Sequence, residues 1–505
     1  MSRIITDYLD TTAERFPSKS AIVDGEKELT FAQLRDSARR VASELAGLGI
    51  FHRPVAVYLE QSAESIVSFL GAAYSGNFYT VLDSKMPTER LRKIVEVLEP
   101  AVILTDDKHF EGAQIFAREG QKILLISNLL QADVNEGKLA EVVGRISAMD
   151  VLYVLFTSGS TGIPKGVTIG QRSVMEYTEW VTETFRVNEH DVIGNQAPFY
   201  FDNSVLDIYQ MVSTGATLHI IPRKLFAFPV RLLEYVRDHS INMVFWVPSV
   251  LCMIANFDVL EACDVSCLKK ILFAGEVMPN KQLNVWRRAL PKALFANLYG
   301  PTEITVDCTY YIVDRAFDDA EPLPIGVPCR ASTILVLDDK NQLVKGSNHG
   351  ELCVRGSSLS YGYYRDPERT AQAFMQNPLN DAYRDIIYRT GDLVHYNERN
   401  EIMYDGRKDF QVKHMGHRIE LGEIETAVSA QEGIEASCCL FDGEKSQLIL
   451  CYIGKLEERE LRKKLIDILP EYMRPRYCRK LEVMPINANG KIDRKRLYDI
   501  QVRGI

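Results

Sequence analysis

Several hallmarks of other protein classes are missing from this chain. No apolar run reaches the roughly 18 residues that a membrane-spanning helix needs, so no span is expected. Residues 1–16, MSRIITDYLDTTAERF, lack a continuous apolar core followed by a small-residue cleavage site, so no signal peptide is expected. The 10 cysteines are scattered. Their nearest groupings, Cys263 with Cys267 and the adjacent Cys438 and Cys439, lack a second pair or histidines at zinc-site spacing. Ordinary reduced thiols and a cytoplasmic location are therefore expected. Basic charge is in deficit: 59 Lys and Arg stand against 68 Asp and Glu, a net of −9, which argues against a general nucleic-acid binder. Internal repeats and low-complexity linkers are absent as well.

What is present is the composition of a large soluble globular protein, 46% hydrophobic and 25% charged. At 505 residues the chain is too long for one core, and two or more domains are expected. From 54 to 126, strand-like segments such as Val55–Leu59, 102–104 and 123–126 alternate with helix-like segments at 62–75 and 88–98. That alternation predicts α/β layering with largely parallel sheets. Near the start, Thr30 and Gln33 have capping-box spacing. Leu34, Ala38, Val41, Leu45 and Leu48 follow as one apolar stripe, which predicts a scaffold helix.

The most informative stretch is 151–167, VLYVLFTSGSTGIPKGV. Six apolar residues predict a buried strand that discharges into Thr157, Ser158, Gly159, Ser160, Thr161 and Gly162, and then Lys165. Glycines admit a close backbone approach, and N–H groups, hydroxyls and an ammonium together suit a polyphosphate. The Gly-Lys-[Ser/Thr] of a Walker A loop is lacking at the required spacing. Ligands of parallel sheets sit beyond the carboxyl ends of the strands, where this loop falls.

Further candidates follow along the chain. Asp202 lies among Phe199, Tyr200 and Phe201, where an acid must be exposed, paired or shifted in pKa; spacing alone also allows Asp202 or Ser204 to cap a helix beginning at 205. Residues 272–276 predict a strand ending at Gly275. In 297–303, Asn297, Tyr299, Thr302 and Glu303 offer an amide, an aromatic face, a hydroxyl and a carboxylate; a base, phosphates and Mg²⁺ could use them, and a plain Gly-Pro turn is the alternative. Asp392 in YRTGDL could accept from ribose hydroxyls or close an Asx turn. Residues 406–413 form a dense charged turn, after which the composition changes. A helix is expected over 418–430, then strands near 448–452 and a helix from about 457 to 468. Lys491 follows a glycine turn in the basic tail.

Together TSGSTGIPKG, FDNS, NLYGPTEIT, GELCVRG with GYY, YRTGDL, GRKDFQVK with GHRIELGEIE, and NGKIDRK resemble the AMP-forming adenylating enzymes. That superfamily includes acyl-CoA synthetases, luciferases and the amino-acid adenylation domains of nonribosomal peptide synthesis. FDNS and RIELGEIE point to amino-acid activation. The resemblance spans essentially the whole chain. It implies a large multi-layered α/β domain, 1–408, and a small mobile C-terminal α+β domain, 409–505, hinged at Asp409. It implies ATP and Mg²⁺, conversion of an amino acid to aminoacyl-AMP with release of pyrophosphate, and transfer to the phosphopantetheine thiol of a carrier protein. The implied ATP site comprises the 157–166 loop, Gly275, Asn297, Tyr299, Gly300, Thr302, Asp392, Tyr404, Arg407 and Lys413. Glu303 would serve the metal, and Lys491 would bridge the substrate carboxylate and α-phosphate.

By the same resemblance the substrate pocket is lined by Asp202, Asn203, Leu206, Phe245, Leu272, Ala274, Leu298, Val306 and Asp307, with Asp202 pairing the α-ammonium. A buried Asp307 without a partner would be costly, which suggests a hydrogen-bonding or cationic substrate side chain, or a water. FDNSVLDIY, FAGEVMPN and the absence of attached condensation or carrier domains resemble standalone D-alanine–carrier protein ligases. Ala274, where a cysteine is expected there, Asp307, and YTVLD at 79–83 depart from that pattern. An acyl-CoA synthetase is the other alternative, and it has no need of Asp202 for an ammonium.

Overall fold

The computed structural model describes residues 4–159, 162–408, 411–486 and 492–504. Two mainly parallel sheets form the body. The six-stranded sheet runs in the order Ile123–Leu125, Val102–Thr105, Pro54–Leu59, Phe78–Asp83, Val151–Thr157 and Lys165–Gly170, with only the last pair antiparallel. The nine-stranded sheet includes, side by side, Met243–Trp246, Lys270–Phe273 and Leu294–Tyr299. Helices pack between and over them, and one continuous core joins Leu34, Val41, Phe69, Tyr153, Trp180 and Phe245. The helix Phe31–Gly47 starts as its sequence predicts: Thr30 Oγ1 accepts from Gln33 N–H (3.2 Å), and the Gln33 side chain accepts from Thr30 N–H (2.8 Å).

A five-stranded antiparallel sheet follows. In it Ile386–Tyr396 pairs with Gly350–Gly356 on one side and with Ile402–Arg407 on another. Asp392 therefore stands within a strand and not in an Asx turn. The pairing Asp392↔Arg407 brings those two together directly.

Beyond residue 411 the chain builds a separate core around Ile419, Ile424, Leu450, Tyr452, Leu461 and Met473. Here the sequence-based helix over 418–430 is corrected. His417–Glu420 is a strand that returns upon Gln411–His414, and the helix is Leu421–Ser429. The reason is the turn: Met415 and Gly416 both have positive φ (52° and 77°), the geometry of a two-residue hairpin. Two smaller corrections are similar. Ile126 opens a short helix instead of ending a strand, and the strand before Gly275 ends at Phe273.

Candidate active site

The strand Val151–Thr157 delivers its loop at a sheet edge, facing the C-terminal region. A side chain on Gly159 would lie 2.1 Å from the Ile163 carbonyl, so only glycine fits that approach. Gly159 N–H donates to Glu423 Oε2 (3.1 Å), and Ser158 Oγ donates to the Arg418 carbonyl (2.7 Å). Thr157 Oγ1 is buried without a partner among the described residues. Lys93 Nζ donates to the Gly162 carbonyl (3.2 Å). Ser160 and Thr161 lie outside the described residues.

Lys165 reaches Glu303, at 3.4 Å. Glu303 is fully buried on a short turn of helix, Thr302–Ile304, and accepts from Tyr363 Oη (2.8 Å) and from Arg418 Nη1 (2.7 Å). Burial alone would push its carboxyl up, yet the charges of Arg418 and Lys165 hold it at about 2, fully ionised. Glu423 pairs in turn with the buried guanidinium of Arg90. The cradle thus already holds one protein anion, Glu423, against its backbone N–H, and one protein cation, Arg418, against its carboxylate. Tyr363, Arg418, Glu423 and Arg90 were assigned no role on sequence. The first three sit inside motifs read there, but partners this far apart in the chain leave no spacing signal.

A second group lies across the strand Leu294–Tyr299. Asn297 Nδ2 donates to the Pro324 carbonyl (2.9 Å). Tyr299 Oη donates to Asp392, and Arg407 Nη1 donates to the other Asp392 oxygen (2.8 Å). Lys413 Nζ sits 5.0 Å from the Tyr299 ring centroid, its pKa lowered by burial despite nearby Asp392. Asn297, Tyr299, Arg407 and Lys413, with Tyr404 and Gly275, wall a cavity of about 820 Å³ that also reaches Phe441 and Ser446 of the C-terminal region. Gly275 and Gly416 approach each other there, and Glu276 ties the two sides by accepting from Ser249 N–H (2.8 Å) and Gly416 N–H (3.1 Å). Cys252 also lines the cavity, but burial pushes its thiol up to about 12, which disqualifies it as a thiolate nucleophile.

The residues that the resemblance assigns to a substrate pocket are buried. Leu206, Phe245, Leu272, Ala274, Leu298 and Val306 share one buried cluster. Asp202 occupies the cap position of the helix Asn203–Thr214, yet its side chain makes no capping bond, so the capping alternative fails. Burial raises its carboxyl to about 6, against a hydrogen bond with Thr302 that lowers it. Asn203 Nδ2 is buried without a hydrogen-bond partner among the described residues. Asp307 is not without a partner: its Oδ2 accepts from Tyr177 Oη (2.7 Å), on the helix Gln171–Phe185. Burial still lifts it to about 7, with Asp202 adding to the rise. The premise that Asp307 is buried without a partner is therefore corrected, because a buried tyrosine supplies a donor to one of its oxygens. The turn before it is strained, with Thr305 and Val306 at φ 62° and 70°, a costly region for β-branched residues. Gly300 makes the turn possible, since a Cβ there would meet the Val306 carbonyl at 2.3 Å. Asp409 and Lys491 lie outside the described residues.

No helix among the described residues is long and apolar enough to cross a membrane. A family model described as "AMP-binding enzyme" matches residues 9–364. The chain is 34% identical over 514 residues to an L-proline–(L-prolyl-carrier protein) ligase of Streptomyces coelicolor, covering 97% of this chain and 94% of that protein. It is 30% identical over 511 residues to a D-alanine–D-alanyl carrier protein ligase of Staphylococcus aureus, covering 98% and 99%. Bacitracin synthase 1 of Bacillus licheniformis is 32% identical over 503 residues, but the chain spans only 9% of that protein's length. Among solved structures, that of IdnL1 matches with a TM-score of 0.80 at 28% identity, covering 96% of this chain and 99% of that one.

Proposed function

The chain belongs to the AMP-binding enzyme family, and from that premise we propose that it activates an amino acid as its adenylate and passes it to the phosphopantetheine thiol of a carrier protein. One observation carries the amino-acid reading: Asp202, a buried carboxylate that makes no capping bond. It would bind the substrate's α-ammonium, and an acyl-CoA synthetase substrate has none to offer.

In the first half-reaction the substrate carboxylate attacks the α-phosphorus of ATP and pyrophosphate leaves. The 157–166 loop with Lys165 holds the β- and γ-phosphates. Asn297 would face the base, and Asp392, held by Tyr299 and Arg407, would accept from the ribose. Lys491 would bridge the carboxylate and α-phosphate and draw off negative charge as it builds. Glu303, ionised beside Thr302, fits Mg²⁺, which takes oxygen ligands. That ion would supply charge neutralisation on the phosphates. Arg418 now donates to one Glu303 oxygen and Tyr363 to the other, so a bound ion would compete with these donors.

The second half-reaction begins once pyrophosphate is gone. The thiol attacks the aminoacyl carbonyl, AMP departs, and a thioester forms. The contacts that Glu423 and Arg418 make with Gly159 and Glu303 would suit this stage, since they would compete with the phosphates and metal of the first. Residues 411–504 would then be a mobile unit hinged near Asp409.

The test is ATP–pyrophosphate exchange over a panel of L- and D-amino acids, each beside its deamino acid. Exchange should require the amino group and should fall at least about a hundredfold in Asp202→Asn, the loss of a desolvated charge pair. Equal exchange with the deamino acids sinks the amino-acid reading. L-proline and D-alanine are the first substrates to try, and CoA-dependent AMP release would favour the acyl-CoA alternative.

A further inference from the structure

Three metal-ligating side chains outside the adenylation site meet at one corner of the five-stranded sheet. His349 immediately precedes the strand Gly350–Gly356, His395 lies in Ile386–Tyr396, and Asp405 lies in Ile402–Arg407. The register assembles them: Gly350 pairs with Val394, and His395 pairs with Met403, two residues before Asp405. His349 Nδ1 is 2.7 Å from Asp405 Oδ2, and His395 Nδ1 is 2.8 Å from Asp405 Oδ1. The imidazole centroids are 5.1 Å apart, and one ligand atom from each residue lies within 4.8 Å of the others.

Two imidazoles and one carboxylate form the donor set of a borderline divalent ion such as Zn²⁺, with solvent completing the shell. Mg²⁺ and Ca²⁺ prefer oxygen alone. The carboxylate has charge to spare: among the described residues, Asp405 makes ion pairs only with these histidines and with no Lys or Arg. Entry is open, since His349 is largely exposed. Each neutral ring need only carry its proton on Nε2 to free Nδ1 for a metal, so binding requires no rearrangement of the strands.

We propose that His349, His395 and Asp405 form a Zn²⁺-class metal site. The bound ion acts as a clip across three strands. Two of those strands carry Asp392 and Arg407, so the clip pins the register that holds this pair together.

The test uses the full chain, freed of any affinity tag and treated with chelator, titrated calorimetrically with Zn²⁺ in excess Mg²⁺. One equivalent should bind in the micromolar range and raise the melting temperature. His349→Ala and His395→Ala should each weaken binding by about 10–100-fold or more, as even outer-shell changes do at metal sites. Asp405→Asn, which keeps the side chain's size, should do the same. All three variants should lose the metal-induced thermal shift. Binding of equal strength in a His349→Ala, His395→Ala double variant overturns the proposal, and so does an absence of saturable binding below millimolar Zn²⁺.

Discussion

At the scale of single residues the site is governed by how burial and neighbours treat each acid. Glu303 is held ionised by two cations, whereas Asp202 and Asp307 are lifted to about 6 and about 7 by burial. Asp202 is thus poised to ionise when an ammonium arrives. A carboxyl raised in the folded state adds stability below its ordinary value of 3.8 and loses that contribution as pH climbs through about 6. Substrate binding runs the other way, because only the charged form attracts the ammonium. Exchange at sub-saturating amino acid should therefore fall as pH drops below about 6, approaching roughly tenfold per pH unit. Asp202→Asn should flatten that limb, and an unchanged limb in the variant would remove Asp202 from the role. Spacing alone leaves Asp202 between capping and binding, and the family resemblance favours binding. That choice depended on where its side chain points, which spacing does not encode.

At the scale of elements, the helix Gln171–Phe185 has a task its sequence did not announce. It brings Tyr177 against Asp307, so the pocket's second acid is satisfied from within the protein. Tyr177→Phe keeps the ring and removes the donor. It should cost about 1–3 kcal/mol, the desolvation penalty of a buried polar group left unpaired, readable by denaturant unfolding. The same variant should shift the amino-acid preference in the exchange panel toward side chains that carry a donor, whereas an unchanged preference would mean that Asp307 only supports the turn. Most elements were legible beforehand. The capping box at Thr30, the apolar run at 151–156 and the alternation from 54 to 126 are local signals, and each became the expected element. The misread segment at 418–430 shows the limit. Ile419 fits a helix or a strand equally well, and the Met415–Gly416 turn decided between them.

At the scale of the whole molecule, two regions meet over one cradle. A single Gly159 N–H cannot serve both Glu423 and a phosphate oxygen, and Glu303 cannot hold both Arg418 and a metal ion in one place. ATP with Mg²⁺ should therefore displace the C-terminal region from this arrangement. Fluorescent labels at the exposed Ile115 and Ile466 would report a change in distance on adding nucleotide. Glu423→Gln should lower the ATP concentration needed for half that change, and a distance indifferent to nucleotide would refute the competition. The linear chain by itself determined the family resemblance, most of the order of strands and helices, and the residue types of the 157–166 loop, because those signals lie within a few residues of one another. Only the folded structure decided that Tyr177 answers Asp307 across 130 positions, Arg418 answers Glu303 across 115, and Glu423 reaches Gly159 across 264. Such pairings are made by packing. A buried charge must find its partner wherever the fold brings one, and local spacing carries no record of where that will be.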